Sequence, residues 1–453
     1  MFQRIVIALI HIITNTFFRR IDVVGADNVP TDGPVIFAGN HPNALMDGWL
    51  LTAKCGRWPL HFMANAKLWK YSLLAPVLTA MGAVPVYQRE EYDGGVDNQH
   101  AFEKFYEVIE SGHCMGVFPE GVSHTESQLV KLKTGTARIA LSVATRGNVL
   151  VKIIPCGLNY IHRHRFRSQV LIEFGEPIVI DDQWMQDYRS DEQETVRRLT
   201  EHLADALAIV TLNAPDWHTL RFIQTARRLY KPSKASLSPF EYVELSRRFV
   251  DGYLREIGNP EMQAFRDEVE NYQARLDMHG LKDHQLRHRI TLGRAMRKMI
   301  LRLLTMLALL PVAIPGALLH LPVGWIASSV GKRFSYEMDD IATLKVISTI
   351  LLLPVLYLAI AIAVGINVGF WWAIFAVAAL SFSFIASVRL MEAEVSLLNS
   401  VWSILRLARL GGELDDLRAT RAALVEKVRS LAERLSDPGM PRMFTDKDFG
   451  SNK

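Results

Sequence analysis

A histidine and an aspartate stand six positions apart in the stretch Ala38-Gly39-Asn40-His41-Pro42-Asn43-Ala44-Leu45-Met46-Asp47. Together they could activate an alcohol. A hydroxyl is a poor nucleophile near neutral pH, and a neutral imidazole can remove its proton as it attacks a thioester carbonyl. A carboxylate on the far ring nitrogen fixes the tautomer and stabilises the imidazolium that forms. The apolar run ending at Ala38-Gly39 reads as a strand, and Pro42 suits the first position of a helix. His41 therefore belongs at a strand-to-helix junction, where α/β enzymes place their sites. On a regular helix six steps turn through about 600°, which puts the two side chains on different faces. They meet only if His41 precedes the helix and Asp47 reaches back from it. The plainer alternative is a histidine capping a helix and an aspartate on its surface.

Other reactive or charged groups also follow apolar runs. Phe118-Pro119-Glu120-Gly121-Val122-Ser123 comes directly after one, and Gly121 can bring backbone amides close to a ligand. Lys131, Lys133 and Arg138 lie around a helix opening near Thr134-Gly135, and a helix start flanked by cations suits a phosphate. Arg89 sits just past Gly82-Ala83-Val84-Pro85-Val86-Tyr87-Gln88. Each alone reads equally well as a solvated side chain or an ordinary turn.

In order, these pieces resemble the four sequence blocks of the PlsC-like glycerophosphate acyltransferase superfamily, over roughly residues 30–180. In that family four residues commonly separate the histidine and aspartate of the first block, whereas five intervene here. The His-Pro-Asn-Ala-Leu-Met-Asp form is similar to a branch that includes fungal-type glycerol-3-phosphate and dihydroxyacetone-phosphate acyltransferases. The resemblance implies His41 as catalytic base and Asp47 as its orienting acid. It implies that Arg89, in the second block, helps hold the acceptor phosphate, and that Glu120 and Gly121, in the third, belong to acceptor binding. Ser123 stands where that block often has arginine or serine, and Val122 where threonine is usual. Lys133 fits a basic position within reach of the phosphate. Pro155, in Val151-Lys152-Ile153-Ile154-Pro155-Cys156-Gly157, matches the fourth block, which is linked to the acyl side of the site.

The same resemblance implies a reaction. A fatty acyl group would pass from acyl-CoA or acyl carrier protein, as co-substrate, to a hydroxyl of glycerol-3-phosphate or dihydroxyacetone phosphate. No cofactor and no metal is implied, and access is from the membrane surface. A 1-acyl-glycerol-3-phosphate or another lysophospholipid is the alternative acceptor. The acceptor's own hydroxyl takes the place of an enzyme serine, so no acyl-enzyme is required.

Positioning such a site calls for an α/β layer. Apolar runs at Pro34–Ala38, His61–Ala64, Ala83–Tyr87, Cys114–Phe118, Val149–Leu158 and Val170–Phe174 read as strands. Helical stretches near 67–81, 97–111 and 134–146 alternate with them, which predicts helices packed on a largely buried sheet. An acyltransferase-type α/β domain is expected over 26–184, preceded by an N-terminal helix over 1–25. Arg4 and Arg19–Arg20 bound the apolar run of that helix, which suggests an interfacial membrane helix. A helix packed on the next domain is the alternative.

Residues 185–297 read as a helical extension of polar, charged helices broken near Pro232 and Pro260. A membrane region follows over 298–390. Leu344–Ile366 and Val368–Val388 are each long and apolar enough to cross a bilayer, and the short link at Asn367 predicts a helical hairpin. Met299–Val330 is also apolar but carries Pro311, Pro315 and Pro322. Basic clusters precede it (Arg294, Arg297, Lys298), follow it (Lys332, Arg333) and follow the hairpin (Arg389). A re-entrant first segment would keep every cluster on the cytoplasmic side, so a broken segment plus one hairpin is expected. Over 391–453, Leu414, Leu417, Leu424, Val428, Leu431 and Leu435 keep a helical rhythm. That rhythm suits an amphipathic helix packed within the chain, or alternatively a homodimer contact.

Bulk composition agrees. The chain has 453 residues, 49% of them hydrophobic and 22% charged, which fits several units with apolar residues concentrated in some of them. A net charge of only +4 argues against a nucleic-acid partner and leaves membrane lipids, the acyl donor and the acceptor as expected partners. The three cysteines, Cys55, Cys114 and Cys156, lack CxxC spacing and read as buried thiols. Competing functions fare worse. Ser123 lacks the flanking glycines of a nucleophile elbow, and His162-Arg163-His164 lacks a third zinc ligand at suitable spacing. A membrane scaffold or transport component would need ionisable groups along a pathway, and the apolar segments have almost none.

Overall fold

The computed structural model describes residues 2–448 apart from 71–74, 81, 87–98, 233–234, 288–291, 336–337, 339, 437–438, 440 and 445–447. The chain divides into two compact units. The first comprises residues 1–217, 237–247 and 335–343, and the second comprises 218–236, 248–334 and 344–453.

In the first unit, the apolar runs form β1 (Phe18–Val24), β2 (Val35–Gly39), β3 (Leu60–Asn65), β4 (Val84–Val86), β5 (Cys114–Val117), β6 (Val151–Tyr160), β7 (Ser168–Phe174) and β8 (Ile178–Ile180). They build one eight-stranded sheet in the order β1-β7-β6-β2-β5-β3-β4, with β8 also on β6. β6, β2, β5 and β3 are mutually parallel, while β7 and β8 run antiparallel to β6. Every residue of β2 is buried, as a central parallel strand covered on both faces requires. The parallel register sets Ala38 beside Val117 and Pro155, so the C-terminal ends of β2, β5 and β6 open at one edge of the sheet.

Helices α1 (Phe2–Phe17), α2 (Leu45–Lys54), α3 (Ala75–Ala80), α4 (Gln99–Glu110), α5 (Gly135–Gly147), α6 (Asp182–Ser190) and α7 (Glu192–Val210) complete this unit. α5 and α7 bury Ile139, Ala140 and Val143, and Leu199, Leu203 and Leu207, against Ile36, Val151 and Ile153 of the sheet. Each such Leu, Ile or Val contributes about 1.5–3 kcal/mol on leaving water. α6 and α7 thus cover the sheet of the α/β unit, although sequence alone began the helical extension at residue 185. α1 packs on α2 with Val6, Ile10, Thr14 and Phe17 buried, and leaves Ile5, Leu9 and Ile12 exposed. Arg19 and Arg20, expected at the end of that helix, lie in β1 instead. All three cysteines are free and buried, and burial pushes the Cys55 thiol up to about 11.

The second unit is helical: α8 (Trp217–Tyr230), α9 (Pro239–Arg255), α10 (Pro260–Met278), α11 (Asp283–Leu286), α12 (Leu292–Arg333), α13 (Asp340–Asn367), α14 (Phe370–Arg409) and α15 (Glu413–Leu435). Trp217 of α8, the start of α9 up to Arg247 and the start of α13 up to Thr343 fall in the first unit's ranges. α15 buries Leu417, Leu424, Val428 and Leu431 while packing on α10 and α11. Ion pairs Arg275–Asp416, Lys427–Glu268 and Arg434–Glu261, at 2.7, 2.6 and 2.8 Å, run alongside. The apolar stripe of the tail is therefore used inside the chain.

Among the described residues, three helices are long and apolar enough to cross a membrane: Leu303–Arg333, Asp340–Asn367 and Phe370–Met391. The first corrects the broken, re-entrant segment expected from its prolines. α12 is continuous through Pro311, Pro315 and Pro322. Its main neighbour is α14, which supplies hydroxyls to the disturbed backbone: Gly316 donates its N–H to Ser383 Oγ at 2.6 Å, and Ser387 donates to the Ala313 carbonyl at 2.8 Å. A proline helix survives in apolar surroundings when neighbouring side chains satisfy the backbone groups it frees.

Candidate active site

β2 delivers the histidine. Asn40, just past its end, bonds both backbone groups of Leu158 with its side-chain amide, at 2.7 and 3.3 Å, and so locks the strand end to β6. The helix then begins at Leu45 rather than at Pro42. Residues 42–44 form the intervening turn, in which Ala44 adopts φ +44° and ψ −130°, a region L side chains rarely visit. Such a conformation costs on the order of 1–3 kcal/mol and persists where surroundings enforce it. The turn brings Asp47, in the first turn of α2, back to His41, and Nδ1 of the ring lies 2.8 Å from Asp47 Oδ2.

Asp47 has no exposed surface. Besides His41, the Asn43 amide donates to Oδ2 at 2.7 Å and the Tyr160 hydroxyl donates to Oδ1 at 2.5 Å. Burial pushes the carboxyl above its ordinary range, and His41, Tyr160 and Asn43 pull it back. Tyr160 is itself held well above its usual value by burial and by the adjacent carboxylate, so it stays a donor. The His41 ring stacks on Phe118 with centroids 4.0 Å apart and planes 6° from parallel. With Nδ1 on Asp47, a ring still 19% exposed keeps Nε2 as the nitrogen that can exchange a proton with a substrate.

The turn after β5 supplies the second half. Glu120, also fully buried, accepts the His41 backbone N–H at Oε2 at 2.7 Å, and its Oε1 lies 3.0 Å from His124 Nε2. Gly121 adopts φ +81°, and the Lys133 stem lies across it: a Cβ there would stand 2.6 Å from Lys133 Cδ and 2.8 Å from Nζ. The Lys133 amide donates to the Pro119 carbonyl at 2.7 Å, closing the loop between β5 and α5. Ser127 and Leu129 fasten that loop to Ala214 and Asn213.

The structure thus brings His41, Asp47, Glu120, Gly121 and Lys133 to the C-terminal edge of the parallel strands. Ser123 is partly exposed in the same loop. Pro155 lies buried within β6 beside Ala38 of β2, one strand over from the site turn. Arg89 falls outside the described residues. Sequence reasoning missed Tyr160, His124 and Arg163. Tyr160 had a usable signal: it ends the strand that carries Pro155, and a strand parallel to β2 must end at the same edge. Among the described residues no cluster of His, Cys, Asp and Glu could hold a metal ion.

Two family profiles match the chain: Acyltransferase over residues 20–159, and Glycerol-3-phosphate acyltransferase 2 C-terminal domain over 222–440. Glycerol-3-phosphate O-acyltransferase 2 of Saccharomyces cerevisiae is 31% identical over 79% of this chain and 52% of its own length. Glycerol-3-phosphate O-acyltransferase 1 of the same yeast is 31% identical over 59% of this chain and 37% of its own. The chain therefore spans about half the length, or less, of these curated relatives. A crystal structure of the 1-acyl-sn-glycerophosphate acyltransferase PlsC from Thermotoga maritima aligns at 21% identity over 44% of this chain and 80% of that one. Its TM-score is 0.31, too low to carry weight beside the profiles. With one profile on the α/β unit and the other on the helical region that follows, both parts of the chain are similar to acyltransferases of the glycerol-3-phosphate type.

Proposed function

We propose that this protein transfers a fatty acyl group from acyl-CoA or acyl carrier protein to a hydroxyl of glycerol-3-phosphate, with dihydroxyacetone phosphate as a related acceptor. The observation that carries the reading is the 2.8 Å contact between His41 Nδ1 and Asp47 Oδ2 at the strand-to-helix turn. In this mechanism Nε2 of His41 takes the acceptor hydroxyl's proton as its oxygen attacks the thioester carbonyl. Asp47 holds the tautomer that leaves Nε2 free and steadies the imidazolium. Collapse of the tetrahedral intermediate expels the thiolate, which takes the proton back from His41. Lys133, whose stem crosses Gly121, is well placed in this reading to meet the acceptor phosphate, with Arg89 and Ser123 assisting. Pro155 shapes the strand on the acyl side.

Two of the relatives above are named glycerol-3-phosphate O-acyltransferases, which favours that acceptor over a lysophospholipid. The catalytic unit is assigned to the cytoplasmic face, where charged substrates that cannot cross a bilayer are made. The decisive experiment measures acyl transfer by the full chain in lipid nanodiscs. Glycerol-3-phosphate, dihydroxyacetone phosphate and 1-acylglycerol-3-phosphate are each offered with acyl-CoA and with acyl carrier protein donors. Transfer to glycerol-3-phosphate that falls about 10²–10⁴-fold in His41→Ala is expected of a lost general base. Undiminished transfer by that variant would end the assignment, and transfer to the lysophospholipid alone would move the acceptor.

A further inference from the structure

Glu120 is enclosed, and what encloses it is tied to the catalytic turn by more than one route. One carboxylate oxygen takes the His41 N–H at 2.7 Å, and the other faces His124 Nε2 at 3.0 Å. The His124 backbone N–H in turn donates to the His41 carbonyl at 3.1 Å. His124 Nδ1 accepts the Glu126 N–H at 3.2 Å, while Nε2 meets Glu120 Oε1 as a charge pair rather than an aligned hydrogen bond. A second route closes the ring. Arg163 donates to the His124 carbonyl at 3.3 Å and to the Glu126 carbonyl at 3.2 Å, while its guanidinium lies over the Trp217 ring. The Arg163 carbonyl accepts from Asn43 Nδ2 at 3.1 Å, and the Asn43 amide holds Asp47. His41, Asp47, Asn43, Arg163, His124 and Glu120 thus form a closed circuit around the general base.

We infer that His124 is a positioning residue for His41, acting through Glu120 to hold the backbone from which the imidazole projects. This rests on the acyltransferase reading above. A phosphate-binding histidine would present a ring nitrogen to the ligand, but here one nitrogen meets Glu120 and the other a backbone amide. The charged groups facing the ring are Glu120, Glu126 and Arg163. With Glu120 dominating, its imidazole is pushed above the ordinary histidine range. A proton on the ring strengthens the pull on the buried carboxylate, and it makes Nδ1 a donor that gives up the Glu126 N–H. The pull on Glu120 is therefore strongest with the ring protonated.

The test compares His124→Ala with His124→Gln, whose amide can reproduce the Nε2 donor. In nanodiscs the alanine variant should lose about 10- to 100-fold in kcat with the KM for glycerol-3-phosphate nearly unchanged. Glutamine should recover most of that loss. In a Glu120→Gln background, His124→Ala should cause little further loss, because both residues act on one bond. Amide hydrogen exchange over residues 38–47 supplies a readout independent of turnover. Protection should fall in the alanine variant and return in the glutamine one. A raised KM with unchanged kcat would make His124 a ligand of the acceptor and overturn the proposal. Full additivity with Glu120→Gln, or unaltered exchange at His41, would also overturn it. If the wild type transfers no acyl group, the acyltransferase reading fails, and the exchange comparison still decides whether His124 braces His41.

Discussion

The hydroxyl of Tyr160 donates to Oδ1 of Asp47 at 2.5 Å, a contact between residues 113 positions apart. It fixes the carboxylate from the side opposite His41 and fills an oxygen that would otherwise be buried without a donor. Tyr160→Phe keeps the ring packed on Phe18 but removes the donor. Leaving a buried acceptor unmet costs about 1–3 kcal/mol. The variant should therefore melt earlier and lose about 10-fold in kcat, a loss of about 1.4 kcal/mol in transition-state stabilisation. Nanodisc kinetics and thermal unfolding check the two effects separately; a wild-type kcat would show that His41 and Asn43 hold Asp47 unaided.

Asp47 carries a cost in stability. Burial raises its carboxyl above the ordinary range, so the folded state binds this proton more tightly than the unfolded state does. The sign follows from linkage: the contribution is favourable below the unfolded pKa and is lost as pH rises through the higher folded value. At neutral pH the buried Asp47 carboxyl therefore opposes folding. Asp47→Asn should raise the melting temperature at pH 7 relative to wild type and narrow that gap near pH 4, while kcat falls by about 10²–10⁴ as the imidazole loses its orienting charge. Melting curves across pH test this; a variant less stable than wild type at pH 7 would contradict it.

Lys133 and Gly121 make a paired prediction. A methyl group at 121 would meet the Lys133 stem at 2.6–2.8 Å, and its φ of +81° disfavours any L side chain. The left-handed backbone adds about 1–2 kcal/mol of strain. Gly121→Ala should displace Lys133 and so raise the KM for glycerol-3-phosphate in the same direction as Lys133→Ala. The double variant should be little worse than Lys133→Ala alone. A KM at the wild-type value in Lys133→Ala would remove that lysine from the phosphate site.

Local patterns in the chain were legible, while long-range pairings were not. β2, β5 and β6 announce themselves because both faces are buried and the runs are nearly all apolar. β1, Phe-Arg-Arg-Ile-Asp-Val-Val, lies at the sheet edge, and its charges hid it inside an apparent helix end. His41 and Asp47 could be paired from the strand-to-helix junction and the family resemblance, since the turn joining them is short. Tyr160 reaches the same turn from the end of β6 and His124 from the loop after β5, and only the parallel register of β2, β5 and β6 brings them there. Glu120 was expected at the acceptor, but the sequence could not show that burial turns both its oxygens onto His41 and His124. The prolines of α12 spoke for a break because their remedy, Ser383 and Ser387, lies on α14, 71 and 74 residues from the carbonyls they serve.

That remedy gives the last prediction. Pro315 has no N–H, and at the next position the Gly316 N–H donates to Ser383 Oγ. The same hydroxyl gives its proton to the Val312 carbonyl, so it serves a donor and an acceptor four residues apart on α12. Glycine is needed because a Cβ at 316 would meet the Ser383 backbone at 2.5–2.6 Å, and backbone cannot rotate aside. Ser383→Ala removes the bridge and leaves two polar groups in apolar surroundings, at about 1–3 kcal/mol. Gly316→Leu pushes α12 and α14 apart and should be worse. Both variants should unfold earlier in nanodiscs and expose α12 to protease. Ser383→Thr keeps the hydroxyl and should retain most of the stability if its added methyl is accommodated. If Ser383→Ala unfolds with the wild type, α12 must close its own ladder across Pro315, and the hydroxyl bridge is incidental to how these two helices pair.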